Sequence, residues 1–530
     1  MDDDALDLDF EQDQEAGLPW GQFALVFAIL FVATQVPLYL VTYPDILEFA
    51  DHVARIHLLQ AGTNTPWLQN YYAIDRSLIV PNLAMDALLP PLAGAVGAPL
   101  AVKLFASFAS LSLASGTIAL SRALSGRLSA IQLGVLIFSH NVALLAGYLN
   151  YVAALGVAFW LLAAWVRWGG RAGWGRFAAF AGGATVLYLG HLSAFGIYVL
   201  GVLGWQLRNV VATTGTAEQD ADGGGRGGIS PVLVAIGQFI PAEIIYVVSV
   251  RPTAAASWVE PQQALSWSAI LQHKLVLLAS LPLAGIPPEP SWLFVLPLLI
   301  VLLIMVAALR GVVRLLPAVG WIAIPVALSI LLLPYSGFGS ESVDARLLPA
   351  LLLILWAGLE VNARAEAGVE MPILALTAMA TIATSADALI QWNRRDADYA
   401  ALRAALDRLP EGARVATVAA SPARGRGDEL SPYFAAWGIV DRSILLSGFN
   451  VMPFRPVWVG FRQAYVGPAR LARHPDGGNP VVDASALQLR YDDVIVFGPP
   501  NPVEEALGAK AARLYETPQV RILSTGAASR

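Results

Sequence analysis

The sequence predicts an α-helical polytopic membrane protein with about 11 transmembrane helices and a small extracytoplasmic α/β domain at the carboxyl end. Of its 530 residues, 56% are hydrophobic and only 14% are charged, which is too apolar for an ordinary water-soluble protein. The segment 22–41 is an uninterrupted apolar run of about the 20 residues that a spanning helix needs, and comparable runs follow it. After residue 390 amphipathic and β-like patterns replace these runs and predict a separate domain.

The amino-terminal flank is acidic, with eight Asp or Glu residues between Asp2 and Glu15 and no Lys or Arg before Arg55. This flank does not fit a cleavable signal peptide, and residues 1–19 are predicted to be a disordered cytoplasmic tail. The absence of cysteine excludes disulfides, thiolate metal sites and cysteine nucleophiles. A net charge of -6 gives no support for nucleic-acid binding.

Arginine positions orient the predicted helices, because short cytoplasmic loops collect Lys and Arg. The arginines of candidate inside loops are Arg122, Arg127, Arg167, Arg171, Arg176, Arg208, Arg226, Arg310, Arg314 and Arg364. They fall on one side when the spans are 20–41, 100–121, 128–146, 150–167, 175–190, 193–207, 231–250, 291–309, 316–334, 346–362 and 371–390. The transmembrane domain is then 20–390, with the amino terminus inside, the carboxyl terminus outside and a large first outer loop at 42–99.

Two further apolar segments are predicted not to cross. Residues 79–97 contain Asp86 and several prolines, which would break backbone hydrogen bonds that lipid cannot replace. Residues 269–286 carry His273 and Lys274 and lead into the sequence PPEP. Both fit re-entrant or interfacial helices better, although 13 spans remain an alternative.

The region 391–530 is predicted to be an extracytoplasmic α/β domain. It begins with an amphipathic helix, DADYAALRAALDRLP, that ends in a proline. Predicted strands lie at 414–420, 443–449, 493–499 and 520–526, with a helix at 502–514. The glycine-rich segments GGGRGG and RGRGD lack the strand and helix context of a phosphate loop and are predicted to be flexible loops.

The first outer loop contains the segment PDILEFADHVARIHLLQ, which is unusually rich in charge for this chain. A helix starting after Pro44 would place four side chains on one face, with Asp51 about a sixth of a turn away. These four side chains are Asp45, Glu48, His52 and Arg55. The opposite, apolar face would lie along the membrane surface, and an interfacial amphipathic helix with internal ion pairs is the alternative reading.

A second outer cluster lies late in the chain, in SESVDARLLPALL. Here Asp344 is followed by Arg346 at the start of a predicted helix, and Arg251, His273 and Lys274 are predicted for the same side. An outer-face arginine opposes the positive-inside trend but suits a lipid phosphate, with snorkelling as the alternative explanation. Acids and cations together suit group transfer from a lipid-linked phosphate, with a carboxylate as general base and cations stabilising the departing phosphate.

The order of these features resembles the GT-C glycosyltransferases. That class of integral-membrane enzymes includes the protein mannosyltransferases and the aminoarabinose transferases and uses polyprenyl-phosphate-linked sugars as donors. The resemblance covers essentially the whole chain, and DHVAR, PNLAMD, GYLNYVAALGVAFWLL and GHLSAFG are similar to segments of uncharacterised bacterial members. The adjacent Asp-Glu pair of the mannosyltransferases has no clear counterpart here.

The resemblance implies Asp51 as the general base, with Asp45 as the rival because it lies closer to the first helix. Arg346 would hold the donor phosphate. The implied substrate-binding residues are Glu48, His52, Arg55, Arg251, His273, Lys274, Asp344 and Arg346. No metal ligands are assigned, although the first-loop acids and His52 have the donor atoms for a divalent cation.

The implied activity is hexosyl or pentosyl transfer, with inversion expected, to a hydroxyl of a lipid or glycan acceptor on the outer face. Membrane lipids are the expected surroundings, and no nucleic-acid partner is expected. Two alternatives stay open. One is a non-enzymatic translocator of lipid-linked glycan or a polysaccharide assembly protein, and the other is a glycan polymerase or ligase.

Overall fold

The computed structural model of the protein describes residues 18–62, 64–77, 79–169, 173–214, 231–249, 267–285, 295–335, 343–419, 430–447, 449, 459–462, 490–498, 502–507 and 511–525. Most of the predicted acidic tail, the segments GGGRGG and RGRGD, and Arg251 lie outside these residues.

Helices dominate the described residues up to 406. They are α1 (Trp20–Leu40), α2 (Phe49–Ala61), α3 (Pro66–Tyr71), α4 (Ala84–Val96), α5 (Ala98–Ser125), α6 (Ala130–Leu133), α7 (Val142–Leu145), α8 (Leu149–Trp168), α9 (Trp174–Gly190), α10 (Leu192–Thr214), α11 (Pro231–Gly237), α12 (Ile240–Ser249), α13 (Trp267–Ala279), α14 (Leu296–Leu309), α15 (Pro317–Leu332), α16 (Leu347–Ala357) and α17 (Ala363–Leu406). Among the described residues, six stretches are long and apolar enough to cross a membrane: Trp20–Leu40, Ala98–Ser125, Leu149–Trp168, Leu192–Ala212, Val232–Ser249 and Gly368–Leu406. These stretches indicate a membrane protein.

Several predicted spans are shorter or more interrupted than their apolar runs suggested. The run 128–146 forms α6, a 3₁₀ helix (Gly134–Phe138) and α7, because the Asn141 side chain accepts hydrogen bonds from two backbone N–H groups and starts a new helix. The run 346–362 leaves its helix at Ala357 and enters a strand. The predicted count of about 11 spans is therefore not confirmed.

The two helices α5 and α8 pack closely through glycines. A Cβ atom on Gly116 would lie 2.3 Å from the carbonyl oxygen of Gly156, and one on Gly156 would meet the backbone of Ser112 at 2.2 Å. The Ser112 hydroxyl also donates to the carbonyl of Ala153 at 3.0 Å. Small residues allow this approach where lipid supplies no hydrophobic drive between helices.

Arginine side chains gather at the end of the bundle where α1 begins. α1 begins at Trp20, whose ring lies beneath Arg122, and a 21-residue helix spans roughly 30 Å. Near that beginning, Arg127 and Arg314 contact the same carboxylate, Glu360, at 3.3 and 2.6 Å. Both arginines are among those that the sequence predicts for one side, and the loop that follows α1 starts at the other end of that helix.

The carboxyl-terminal region contains a five-stranded sheet. The strands of the protein are β1 (Tyr72–Ile74), β2 (Val313–Leu315), β3 (Leu359–Val361), β4 (Arg414–Ala419), β5 (Leu445–Leu446), β6 (Val459–Phe461), β7 (Asp493–Phe497), β8 (Ala512–Glu516) and β9 (Val520–Ser524), and two short helices are α18 (Trp437–Arg442) and α19 (Pro502–Leu507). The sheet order is β5-β4-β7-β9-β8, with β4 parallel to β5 and β7. The predicted strands at 414–420, 493–499 and 520–526 are confirmed. The predicted helix 502–514 is wrong at its end, because β8 begins at Ala512.

Part of the loop that follows α1 is attached to this carboxyl-terminal unit. Its strand β1 pairs antiparallel with β6. The Tyr71 hydroxyl donates to the carbonyl of Gly412 at 2.6 Å. The Tyr72 hydroxyl, on a side chain with no exposed area, donates to the carbonyl of Ile444 at 3.0 Å and accepts from the N–H of Leu446 at 3.2 Å. The loop is therefore held by residues more than 300 positions away.

The helix α17 connects the bundle to this unit without a break. Its 44 residues extend about 66 Å, roughly twice the hydrocarbon thickness of a bilayer. The predicted boundary at residue 390 lies inside it. Beyond that point the Asp396 carboxylate accepts hydrogen bonds from the N–H groups of Thr42 and Tyr43, and Arg403 forms an ion pair with Asp441 at 2.8 Å.

Substitution of Tyr72→Phe is expected to lower the free energy of unfolding by about 1–3 kcal/mol, because a buried carbonyl and a buried N–H lose their partner. Unfolding of the purified protein in detergent measures the effect. The control is Tyr39→Phe, whose hydroxyl lies in an exposed contact with Ser107. Equal unfolding midpoints for the wild type and Tyr72→Phe would contradict this role.

Candidate functional site

The acidic segment of the first loop is only partly helical. α2 begins at Phe49, so Asp45 lies before the helix and not on a common helical face with Glu48 and His52. The carboxylate of Asp45 instead contacts α17, where it accepts a hydrogen bond from the Tyr399 hydroxyl at 2.9 Å and forms an ion pair with Arg395. The predicted start after Pro44 is wrong because these contacts hold Asp45 in the connecting turn.

The helix α2 is buried and does not lie along a membrane surface. From Phe49 to Leu59 every residue except His57 is buried. α2 packs against α4, α5, α18 and the 3₁₀ turn Pro432–Ala436. The apolar face predicted to contact lipid, including Ala50, Ala54 and Leu58, is covered by these protein elements.

Arg55 forms a buried ion pair with α4. Its Nε lies 2.9 Å from Oδ1 of Asp86, and the two side chains are 8% and 0% exposed. The sequence predicted Arg55 as a residue of the substrate cavity, and the structure directs its charge to Asp86. A buried pair of this kind makes each partner costly to remove alone.

Glu48 and His52 contact the turn before α8. His52 Nε2 donates to the carbonyl of Gly147 at 2.7 Å and lies 4.0 Å from Oε2 of Glu48. Gly147 has a φ of +85°, and a Cβ there would lie 2.6 Å from the Cβ of Glu48. Only glycine meets both conditions, so this turn and the start of α2 are matched in shape.

Asp51 lies on the side of α2 that faces the loop strand β1. Its side chain is buried, and the residue is 3% exposed. Burial raises the pKa of the Tyr72 hydroxyl, and the nearby carboxylate of Asp51 raises it further. Asp51 and Asp45 therefore have different neighbours, since the latter faces α17.

Arg346 directly precedes α16. Its side chain stacks on Tyr148, in the turn where the Gly147 carbonyl accepts the hydrogen bond from His52. Its guanidinium carbon lies 4.5 Å from the ring centre of Tyr148, and the Tyr151 hydroxyl donates to its carbonyl. The side chain is half-buried, and its Nε is a buried donor with no hydrogen-bond partner in the described part of the chain. Among the described residues Arg346 forms no ion pair with a carboxylate.

Asp344 binds two of the other predicted cations. Its carboxylate is fully buried, 2.5 Å from Nζ of Lys274 and 2.9 Å from Nε2 of His273. Lys274 also donates to the carbonyl of Leu333. The charge of Lys274 is therefore balanced by Asp344, while the side chain of His273 stays 38% exposed.

The structure thus brings the first loop and Arg346 together at the dipeptide Gly147–Tyr148. His52 holds the carbonyl of Gly147, and Arg346 covers the ring of Tyr148. Sequence reasoning did not assign either residue, although both belong to the quoted segment GYLNYVAALGVAFWLL. The local sequence pattern that could have indicated this contact is Gly147 followed by the aromatic residue Tyr148, directly before α8.

Within the described ranges, no group of three or more His, Asp or Glu side chains is arranged to hold a metal ion. Comparison with protein-family models and with curated proteins finds no match to this chain. The class that the fold defines is a helical membrane protein with a carboxyl-terminal sheet docked on its first loop.

Replacing Asp86 by Ala is expected to cost about 3–5 kcal/mol of unfolding free energy, because Arg55 would keep a buried charge without its partner. Thermal or denaturant unfolding in detergent measures the loss. Glu516→Ala, which removes an exposed ion pair with Arg513, is the control and should have little effect. An Arg55→Met and Asp86→Leu double variant should recover much of the loss, and failure of the single variant to destabilise would contradict the buried pair.

Proposed function

We propose that the protein is a membrane glycosyltransferase of the GT-C type. It transfers a hexosyl or pentosyl group from a polyprenyl-phosphate-linked donor to a lipid or glycan hydroxyl on the outer face of a bacterial inner membrane. The observation that carries the proposal is Arg346, a half-buried cation that lacks a carboxylate partner among the described residues and lies beside the acidic first loop.

Charge balance supports Arg346 as the phosphate anchor. Three other cations near the first loop and the late cluster each have a carboxylate: Arg55 has Asp86, Arg395 has Asp45 and Lys274 has Asp344. Charges near a bilayer are costly and usually have a partner or a function. A guanidinium held in place by an aromatic ring can bind phosphate oxygens through directed hydrogen bonds.

The location supports a lipid-linked donor. The start of α16 contacts Tyr151 through the Arg346 carbonyl. It lies at the end of the bundle opposite Glu360, the carboxylate that Arg127 and Arg314 contact. Arginines favour the cytoplasmic side, so the end that holds Arg346 is the proposed outer face. A polyprenyl chain would lie in the bilayer beside the apolar helices while its phosphate reaches the guanidinium.

The proposed reaction is a single displacement. The acceptor hydroxyl oxygen forms a bond to the anomeric carbon as its proton passes to a first-loop carboxylate, and the bond from that carbon to the phosphate oxygen breaks. The electron pair goes to the phosphate oxygen, whose charge Arg346 stabilises. Attack opposite to the leaving group gives inversion.

Asp51 is the proposed base. Asp45, its rival, already binds Arg395 and Tyr399 and fits a role in attaching the loop to α17. Asp51 instead lies buried beside the Tyr72 hydroxyl. Glu48 and His52, beside Gly147, are proposed to contact sugar hydroxyls, and His273 and Asp344 to line the site near Arg346.

Substitution of Asp51→Asn is expected to lower kcat by about 10²–10⁴-fold, the usual contribution of a general base. Substitution of Arg346→Gln should lower kcat/KM for the donor by at least roughly tenfold through lost phosphate stabilisation. Both are measured with the purified, reconstituted protein and a labelled polyprenyl-phosphate-linked sugar. Arg310→Gln, at the opposite end of the bundle, is the matched control and should leave transfer unchanged.

Two outcomes would contradict the proposal. Full transfer activity in both Asp51→Asn and Asp45→Asn, with folding intact, would remove the first loop from the chemistry. Movement of the labelled lipid across the vesicle membrane without release of its sugar would instead indicate a translocator.

A further inference from the structure

His191 occupies the one-residue turn between α9 and α10. Its ring meets the ring of Tyr151 edge to face, with centres 5.2 Å apart, and the Tyr151 hydroxyl donates to the carbonyl of Arg346. His191, Tyr151 and Arg346 therefore form one contiguous group next to the Gly147–Tyr148 turn.

The hydrogen bonds of His191 define its tautomer. The backbone N–H of Ser193 donates to Nδ1 at 3.2 Å, so Nδ1 carries no proton. Burial, with a smaller contribution from Arg346, lowers the pKa of His191 to about 3. The imidazole is therefore neutral near pH 7, and its proton sits on Nε2.

We propose that His191 is a second ligand of the donor phosphate and donates its Nε2–H to a phosphate oxygen that Arg346 also binds. This inference rests on the proposed function, because it takes the polyprenyl-linked phosphodiester of the sugar donor as the ligand. A neutral donor joins an arginine without the repulsion that a second cation would add. The phosphodiester offers two non-bridging oxygens, each with more than one lone pair, so Arg346 leaves acceptor positions for a further donor.

The alternative role for His191 is purely structural, as an acceptor that fixes the start of α10. The two roles use different ring atoms, and two substitutions separate them. Asparagine places its side-chain oxygen near the position of Nδ1 and can still accept from Ser193, whereas glutamine places its amide nitrogen near the position of Nε2 and can still donate. If His191 is a phosphate ligand, His191→Gln should retain phosphate binding. If its role is only to accept from Ser193, His191→Asn should retain the wild-type behaviour.

The test uses the full-length protein in lipid nanodiscs and measures the binding of a fluorescent polyprenyl phosphate that carries no sugar. His191→Ala and His191→Asn are expected to weaken binding about tenfold, the value of one good hydrogen bond to a charged group, while His191→Gln stays within about threefold of the wild type. Unfolding midpoints of the three variants are measured in parallel. Binding by His191→Asn at the wild-type level with weakened binding by His191→Gln would overturn the proposal, as would equal binding by all variants.

Further measurements identify the ligand and distinguish a failure of this inference from a failure of the proposed function. Competition by inorganic phosphate at similar concentrations would indicate a free-phosphate site, and competition only by the lipid would indicate the lipid phosphate; both retain His191 as a phosphate ligand. Normal phosphate binding that depends on His191, without sugar transfer, would contradict the glycosyltransferase proposal and leave the His191 assignment intact. Absence of phosphate binding by the wild type would overturn both.

Discussion

The close contact between α2 and Gly147 is the constraint on which the candidate site depends. The Cβ of Glu48 leaves no room for a side chain at residue 147, and His52 fixes the carbonyl of the same residue at 2.7 Å. Because Tyr148 follows directly, its ring position is set by this contact, and Arg346 stacks on that ring. A loop acid and a late-chain arginine thus become neighbours through one dipeptide.

Charge pairing separates Arg346 from the neighbouring cations Arg55, Arg395 and Lys274. Burying a charge near a membrane is tolerated when a partner offsets its desolvation. Asp86, Asp45 and Asp344 serve that purpose for Arg55, Arg395 and Lys274. The Arg346 side chain stacks on the aromatic face of Tyr148 and keeps capacity for an anion, which the neutral imidazole of His191 is proposed to share.

Much of the fold could be predicted where the signal is local. The long apolar runs fix α1, α5 and α8 within a few residues, and β4, β7 and β9 follow from β-rich runs between turn residues. The boundary that composition predicts at residue 390 falls within α17, since the polarity changes there while the helix continues. The break of 128–146 at Asn141 was missed because a single capping side chain interrupts an otherwise apolar run.

The pairs that shape the site could not be predicted, because each joins distant parts of the chain. Nothing near Arg55 identifies Asp86 as its partner, and the pairing of β1 with β6 depends on how α17 carries the carboxyl-terminal sheet over the first loop. The residue types of the site were visible in the sequence, but their neighbours depend on packing. The most direct measurement is a cryo-electron microscopy structure with a non-cleavable polyprenyl phosphonate sugar. If Arg346 holds the donor, the phosphonate will lie against its guanidinium beside Tyr148 with the sugar toward Glu48 and His52, whereas a phosphonate bound at the Arg127 and Arg314 end would contradict it.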